Sequence, residues 1–200
     1  MIPKLPLMEA FHTLQGEGFH QGRAAFFIRL AGCDVGCPWC DVKESWNPAD
    51  HPETTVVDIV QKGLAYPCRM AVITGGEPLM YDLAYLTKEL QKAGFQTHLE
   101  TSGVYRLTGD WNWICFSPKK FKKPNPVIFH QAHELKVIIY HKTDFDWAQE
   151  FEKKVNPACK LFLQPEWSKR EQMMPLITEY VKHNPQWEVS VQIHKYLDIP

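Results

Sequence analysis

The chain has 200 residues, 44% of them hydrophobic, enough to build one compact core. Its formal net charge of −1 gives no electrostatic reason to expect a nucleic-acid partner. The opening MIPKLPLMEAF carries two prolines and no signal-peptide core, and no apolar run approaches the roughly 20 residues of a membrane span, so the expectation is a single cytoplasmic domain over residues 1–200 with no membrane partner.

In chain order, apolar runs predict strands at 24–32, 70–76, 95–103, 111–118, 134–140, 160–165 and 187–196. Most are near-continuous in apolar residues, as buried parallel strands are. Helical patterns fall at 54–66, with a Thr cap; at 82–95, with Leu83, Leu86 and Leu90 on one face and a stop at Gly94; at 144–155; and at 170–184, which contains Pro175. Strands alternating with helices imply an α/β fold with mainly parallel strands. A full eightfold barrel needs roughly 250 residues, so a shortened, open (β/α) partial barrel fits this length. Polar groups recur where strands end: Gly75, Gly76 and Glu77; Glu100, Thr101 and Ser102; Ser117, Pro118 and Lys119; Gln164, Pro165 and Glu166. Ligands bind at the carboxyl ends of parallel strands, so these tips predict one shared pocket.

Cys33, Cys37 and Cys40 follow the strand at 24–32 in the loop CDVGCPWC. The scattered Cys68, Cys115 and Cys159 read as buried small apolar residues. The cluster has three readings. A structural zinc site in a binding module wants a closed set of four ligands, and no histidine sits at the usual spacing. Free core thiols suit a helix or strand face, whereas Gly36, Pro38 and Trp39 make a tight loop. An iron–sulfur cluster held by three thiolates leaves one iron free to take a ligand.

The C-x3-C-x2-C loop with Trp39 before its last cysteine, together with TGGEP at 74–78, resembles the radical S-adenosylmethionine (SAM) superfamily. FHTLQGEG (11–18), FIRLAGC (27–33), TGGEP, ETSG (100–103), SPK (117–119) and QIHKYLDIP (192–200) are more narrowly similar to the 7-carboxy-7-deazaguanine synthases. That resemblance implies a lyase of queuosine-precursor synthesis. It would convert 6-carboxy-5,6,7,8-tetrahydropterin to 7-carboxy-7-deazaguanine with release of ammonia, as a homodimer fed by an electron donor such as flavodoxin. It implies a [4Fe-4S] cluster on Cys33, Cys37 and Cys40. It implies SAM held by Trp39, Cys40, Asp41, Gly76, Ser117, Pro118, Lys119, Gln164 and Pro165, with Glu166 and Trp167 extending that last turn. It implies substrate held by Leu14, Gln15, Gly16, Arg29, Thr74 and Pro200, with Glu100 as the candidate catalytic carboxylate.

Residue chemistry adds to this. Arg29 lies between Ile28 and Leu30 and needs an anionic partner, either a substrate carboxylate, which its fork takes bidentately, or a surface salt bridge. Glu100 is otherwise a strand-end charge, and His194 is either a satisfied core residue or a pocket residue. The run KKFKK (119–123) is either a solvated loop or a collar for an anionic substrate or an acidic electron donor. Relatives use magnesium with a Thr or Ser hydroxyl two residues after the last cysteine. Here that residue is Val42, which offers no oxygen. The nearest enzymatic rival is a radical SAM glycyl-radical activase, against which LQGEG and KYLDIP speak.

Overall fold

The computed structural model describes residues 2–200. Nine strands form one sheet, in the order β3-β1-β2-β4-β5-β6-β7-β8-β9. Its central part is a run of parallel pairings from β2 (Ala24–Leu30) through β4 (Met70–Gly75), β5 (Gln96–Thr101), β6 (Trp113–Phe116), β7 (Glu134–Ile139), β8 (Lys160–Pro165) and β9 (Trp187–Val189). At the other edge β1 (Lys4–Leu14) pairs antiparallel with β2 and with the short β3 (Glu53–Thr55). β3 and β9 are the two outer strands, so the sheet stays open, as the length argument requires.

Helices cover one face. α1 (Val56–Leu64) packs on β1, α2 (Ala84–Lys92) on β5, α4 (Asp144–Glu152) on β7, and α5 (Arg170–His183) on β8 and β9. The short α3 (Ile128–Gln131) precedes β7. Thr55 caps α1 by accepting from the Asp58 N–H at 3.1 Å. Leu83, Leu86 and Leu90 are buried, and Gly94 turns the chain out of α2 with a φ of +86°. Cys68, Cys115 and Cys159 are buried free thiols.

The strands are less uniformly apolar than the sequence suggests, because they have two different faces. Phe26, Ile28, Leu30, Ile73, Leu99, Phe116, Leu135, Val137 and Leu163 join the helix-side core. The alternate residues Arg29, Thr74, Glu100, Lys136 and Gln164 line a cavity on the concave side.

Two elements depart from expectation. The N-terminal segment is an eleven-residue strand. Its Pro6 is tolerated because it faces β3, itself three residues long, and β1 absorbs an irregularity between Leu7 and Glu9. The predicted strand over 187–196 stops at Val189; residues Ile193–Leu197 form a sixth helix, α6. After Ser190 donates its N–H to Leu163 O (2.9 Å), the chain leaves the sheet edge, and Ile193 N–H docks on Gly16 O at 2.9 Å. The segment therefore bends across the cavity mouth.

Candidate active site

The cavity occupies about 290 Å³ on the concave face of the sheet. Its upper wall is the cysteine loop. Beyond β2 the chain turns at Gly32 (φ +103°) and Gly36 (φ +75°). The return leg clamps the start, with Gly32 N–H on Ser45 O at 2.6 Å and Cys33 N–H on Trp46 O at 3.1 Å. Cys33, Cys37 and Cys40 all line the cavity, and none is in a disulfide. Burial raises the Cys33 thiol above its ordinary range, with Glu77 and Cys40 adding to the shift, and pushes Cys37 up to about 11, with Cys40 and Cys33 adding to it. Left alone they hold their protons; a bound metal cation displaces such protons and keeps the sulfurs as thiolates. Among the described residues no three His, Cys, Asp or Glu group tightly enough to hold a metal ion. Three free thiols on one wall fit a multi-iron cluster, which spreads its sulfur ligands around a larger body.

The turn Gly75-Gly76-Glu77 lies against this loop. Gly76 N–H donates to Leu30 O (2.9 Å) and Glu77 N–H to Gly32 O (2.8 Å). A Cβ on Gly75 would sit 1.9 Å from Leu30 O, and one on Gly76 would sit 2.3 Å from Gly32 O and 2.7 Å from Cys33 Cβ. The glycines are what let two backbones approach this closely. Glu77 is buried; it accepts from Leu79 N–H (3.2 Å), Ser102 N–H (2.8 Å) and the hydroxyls of Thr101 and Ser102. The ETSG hydroxyls thus brace the glycine turn, a function the sequence does not announce.

The floor is charged. Arg29 Nε donates to Glu9 Oε1 at 2.6 Å, so the anionic partner that the sequence demands exists within the chain, while the side chain still lines the cavity. Lys136 is buried and sits between two carboxylates, 2.6 Å from Glu17 and 2.9 Å from Glu100. Gln15 donates to Glu100 Oε1 (3.1 Å) and accepts from Glu17 N–H (3.1 Å); Gln192 donates to Glu17 Oε1 (2.9 Å). Burial works to raise the Glu17 carboxyl, but the Lys136 charge and hydrogen bond, helped by Gln192, hold it at about 2. For Lys136 burial opposes the charge and the surrounding acids outweigh it, leaving it well above the usual lysine range. Below them Glu134, buried against Trp113 Nε1 at 3.0 Å, is pushed up to about 7 by burial. Glu17, Lys136 and Gln192 are absent from the sequence expectations. The signal for Lys136 is the one that flags Arg29, an ionisable residue inside the apolar run ELKVIIY.

Every expected site residue but one lines this cavity. Leu14, Gln15 and Gly16 enter from the loop after β1, Thr74 and Gly76 from β4 and its turn, and Trp39 and Asp41 from the cysteine loop. Ser117 and Lys119 follow β6; Gln164 and Pro165 end β8, with Glu166 and Trp167 beyond. Pro118 is the exception, facing an adjoining hollow that shares Trp39, Lys119 and Trp167. Lys119 Nζ donates to Ser117 O (2.9 Å) and Oγ (2.6 Å), and burial lowers its pKa. Of the rest of the KKFKK run, Lys120 pairs with Asp144 and Lys122 with Asp34. Two of its four lysines are thus engaged in ion pairs within the chain.

The end of the chain forms part of the cavity wall. Pro200 O accepts from Thr13 Oγ1 at 2.9 Å, and Lys195 reaches Asp41 at 3.2 Å. His194 belongs to α6 and lines the cavity; a Cβ on Gly16 would lie 2.1 Å from its Nδ1, which explains the glycine there.

An open, mainly parallel sheet with a three-cysteine loop on its first parallel strand and a glycine turn beside it defines a radical SAM enzyme, and the Radical SAM superfamily pattern matches residues 27–110. The chain is 57% identical over 196 residues to the 7-carboxy-7-deazaguanine synthase of Flavobacterium psychrophilum, covering 98% of this chain and 93% of that protein. It is 34% identical over 221 residues to the enzyme of that name from Escherichia coli K12, covering 97% and 98%. A crystal structure of QueE from Escherichia coli superposes with a TM-score of 0.83 at 31% identity, over 94% of each chain. The chain belongs to the 7-carboxy-7-deazaguanine synthase family.

Proposed function

We propose that this chain, as one domain over its 200 residues, converts 6-carboxy-5,6,7,8-tetrahydropterin to 7-carboxy-7-deazaguanine with loss of ammonia. The carrying observation is a single cavity with three thiols on one wall and an array of paired charges on its floor. Cys33, Cys37 and Cys40 would hold a [4Fe-4S] cluster and leave one iron for SAM. Trp39, Cys40, Asp41, Gly76, Ser117, Lys119, Gln164, Pro165, Glu166 and Trp167 would hold SAM, with Pro118 shaping the adjoining hollow. Once bound, the cluster and SAM supply radical hydrogen abstraction.

The chain's own residues orient and enclose the pterin. Arg29, already steadied by Glu9, offers a cation to its carboxylate. Leu14, Gln15, Gly16, Thr74 and Pro200 line its berth, and Glu100 presents a carboxylate oxygen to its polar edge. α6 and the Lys195–Asp41 contact border the cavity on one side. Against a glycyl-radical activase stand the LQGEG and KYLDIP stretches and the family to which the chain belongs.

Homodimerisation, an electron donor such as flavodoxin and a cytoplasmic location complete the reading. Magnesium is the point of departure. Val42 lines the cavity without an oxygen, and Asp41 is engaged by Lys195. We expect turnover to depend only weakly on added Mg2+; turnover that collapses on chelation and returns with Mg2+ contradicts this. The function itself is tested by anaerobic incubation of the holoenzyme with SAM, dithionite and the pterin. Formation of 7-carboxy-7-deazaguanine with one ammonia per product supports it, and an unchanged pterin in the presence of a reducible cluster rejects it.

A further inference from the structure

Lys136 lies in the middle of β7, in a run whose alternate residues Leu135 and Val137 belong to the helix-side core. Its own side chain turns to the cavity and is 5% exposed. One ammonium there contacts two carboxylates on different elements, Glu17 from the loop after β1 at 2.6 Å and Glu100 from β5 at 2.9 Å. Both acids line the cavity beside Gln15. We propose that Lys136 is a positioning residue for the substrate: it fixes Glu17 and Glu100 as a pair of ionised acceptors, and pterin recognition acts through that pair. The inference rests on the substrate reading given above.

The other charged or titratable groups around the pair do not replace Lys136. Cys115, facing from β6, is kept a thiol by burial, and burial raises Glu134, two residues earlier on β7. Lys119 is hydrogen-bonded to Ser117, and His194, facing from α6, is shifted by burial toward its neutral form. Arg29 is held by Glu9. Without the ammonium, two carboxylates would face each other in a desolvated site, and one would take up a proton as the pH falls. A protonated acid is a poorer acceptor for N–H donors.

The test measures KM for the pterin against pH with anaerobic holoenzyme at saturating SAM. Wild-type turnover of the pterin establishes the substrate reading independently of the variants. Lys136→Met is expected to raise KM about tenfold or more, with the defect worsening as pH falls and with SAM affinity and iron content unchanged. Lys136→Arg keeps the charge and is expected to lack that acid limb. A Lys136→Met enzyme with wild-type KM across the pH range, or one that loses SAM binding and pterin binding in parallel, overturns the proposal. If Lys136→Met does not fold, Lys136→Gln, which keeps a hydrogen-bond donor without the charge, decides. A raised KM that worsens as pH falls supports the proposal, and a wild-type KM across the pH range overturns it.

Discussion

Glu17 keeps its charge in a place with little water, and the reason is Lys136. Its pKa of about 2 lies below the ordinary 4.5, so its contribution to stability is complete above pH 4.5 and is lost as the pH falls toward 2. The difference in melting temperature between wild type and Glu17→Gln should therefore narrow through that window; a constant difference would mean that Glu17 is not held ionised by its surroundings. The same residue shows how far side-chain logic reaches. Arg29 is conspicuous in sequence because a charge amid Phe27, Ile28 and Leu30 must find a partner, and the partner is Glu9. Lys136 obeys the same rule in ELKVIIY. Glu17 is harder to see: LQGEG draws attention to Leu14, Gln15 and Gly16, and nothing in the sequence brings Lys136 of β7 to the glutamate that follows. Glu77 is harder still. Its role depends on the juxtaposition of β4 and β5, which carries Thr101 and Ser102 to its carboxylate.

At the scale of elements, the central strands follow from apolar runs because each has one face on the helices. What those runs conceal is the other face, where one residue in two turns toward the cavity. The edges are less evident for a different reason. β1 carries Pro6 and alternates imperfectly, and its strand character comes from pairing with β2. Residues 190–197 continue the apolar pattern of β9, yet a hydrogen bond to Gly16 draws them off the sheet and into α6. The contact between the glycine turn and the cysteine loop makes a sharp prediction. Gly76→Ala places a methyl against Gly32 O and Cys33 Cβ, an overpacking that costs about 1–3 kcal/mol and displaces the loop. Iron content after anaerobic reconstitution should fall with it. A variant that reconstitutes as fully as wild type would show that the loop tolerates the methyl and that the close approach is incidental.

For the molecule as a whole, one open sheet brings two chemistries to one place. Its strand ends carry the thiols and the turns proposed for SAM, while its concave face carries the charges proposed for the pterin. The segment after β9 adds Gln192, His194, Lys195 and Pro200 to the lining of the same cavity. The account depends most on the claim that Cys33, Cys37 and Cys40 hold an iron–sulfur cube with one corner left for SAM. The most direct measurement is metal analysis of the anaerobically reconstituted protein, coupled with electron paramagnetic resonance of its reduced form before and after SAM is added. The account predicts a four-iron cluster whose signal changes when SAM binds. Zinc in place of iron, or an iron signal indifferent to SAM, contradicts it.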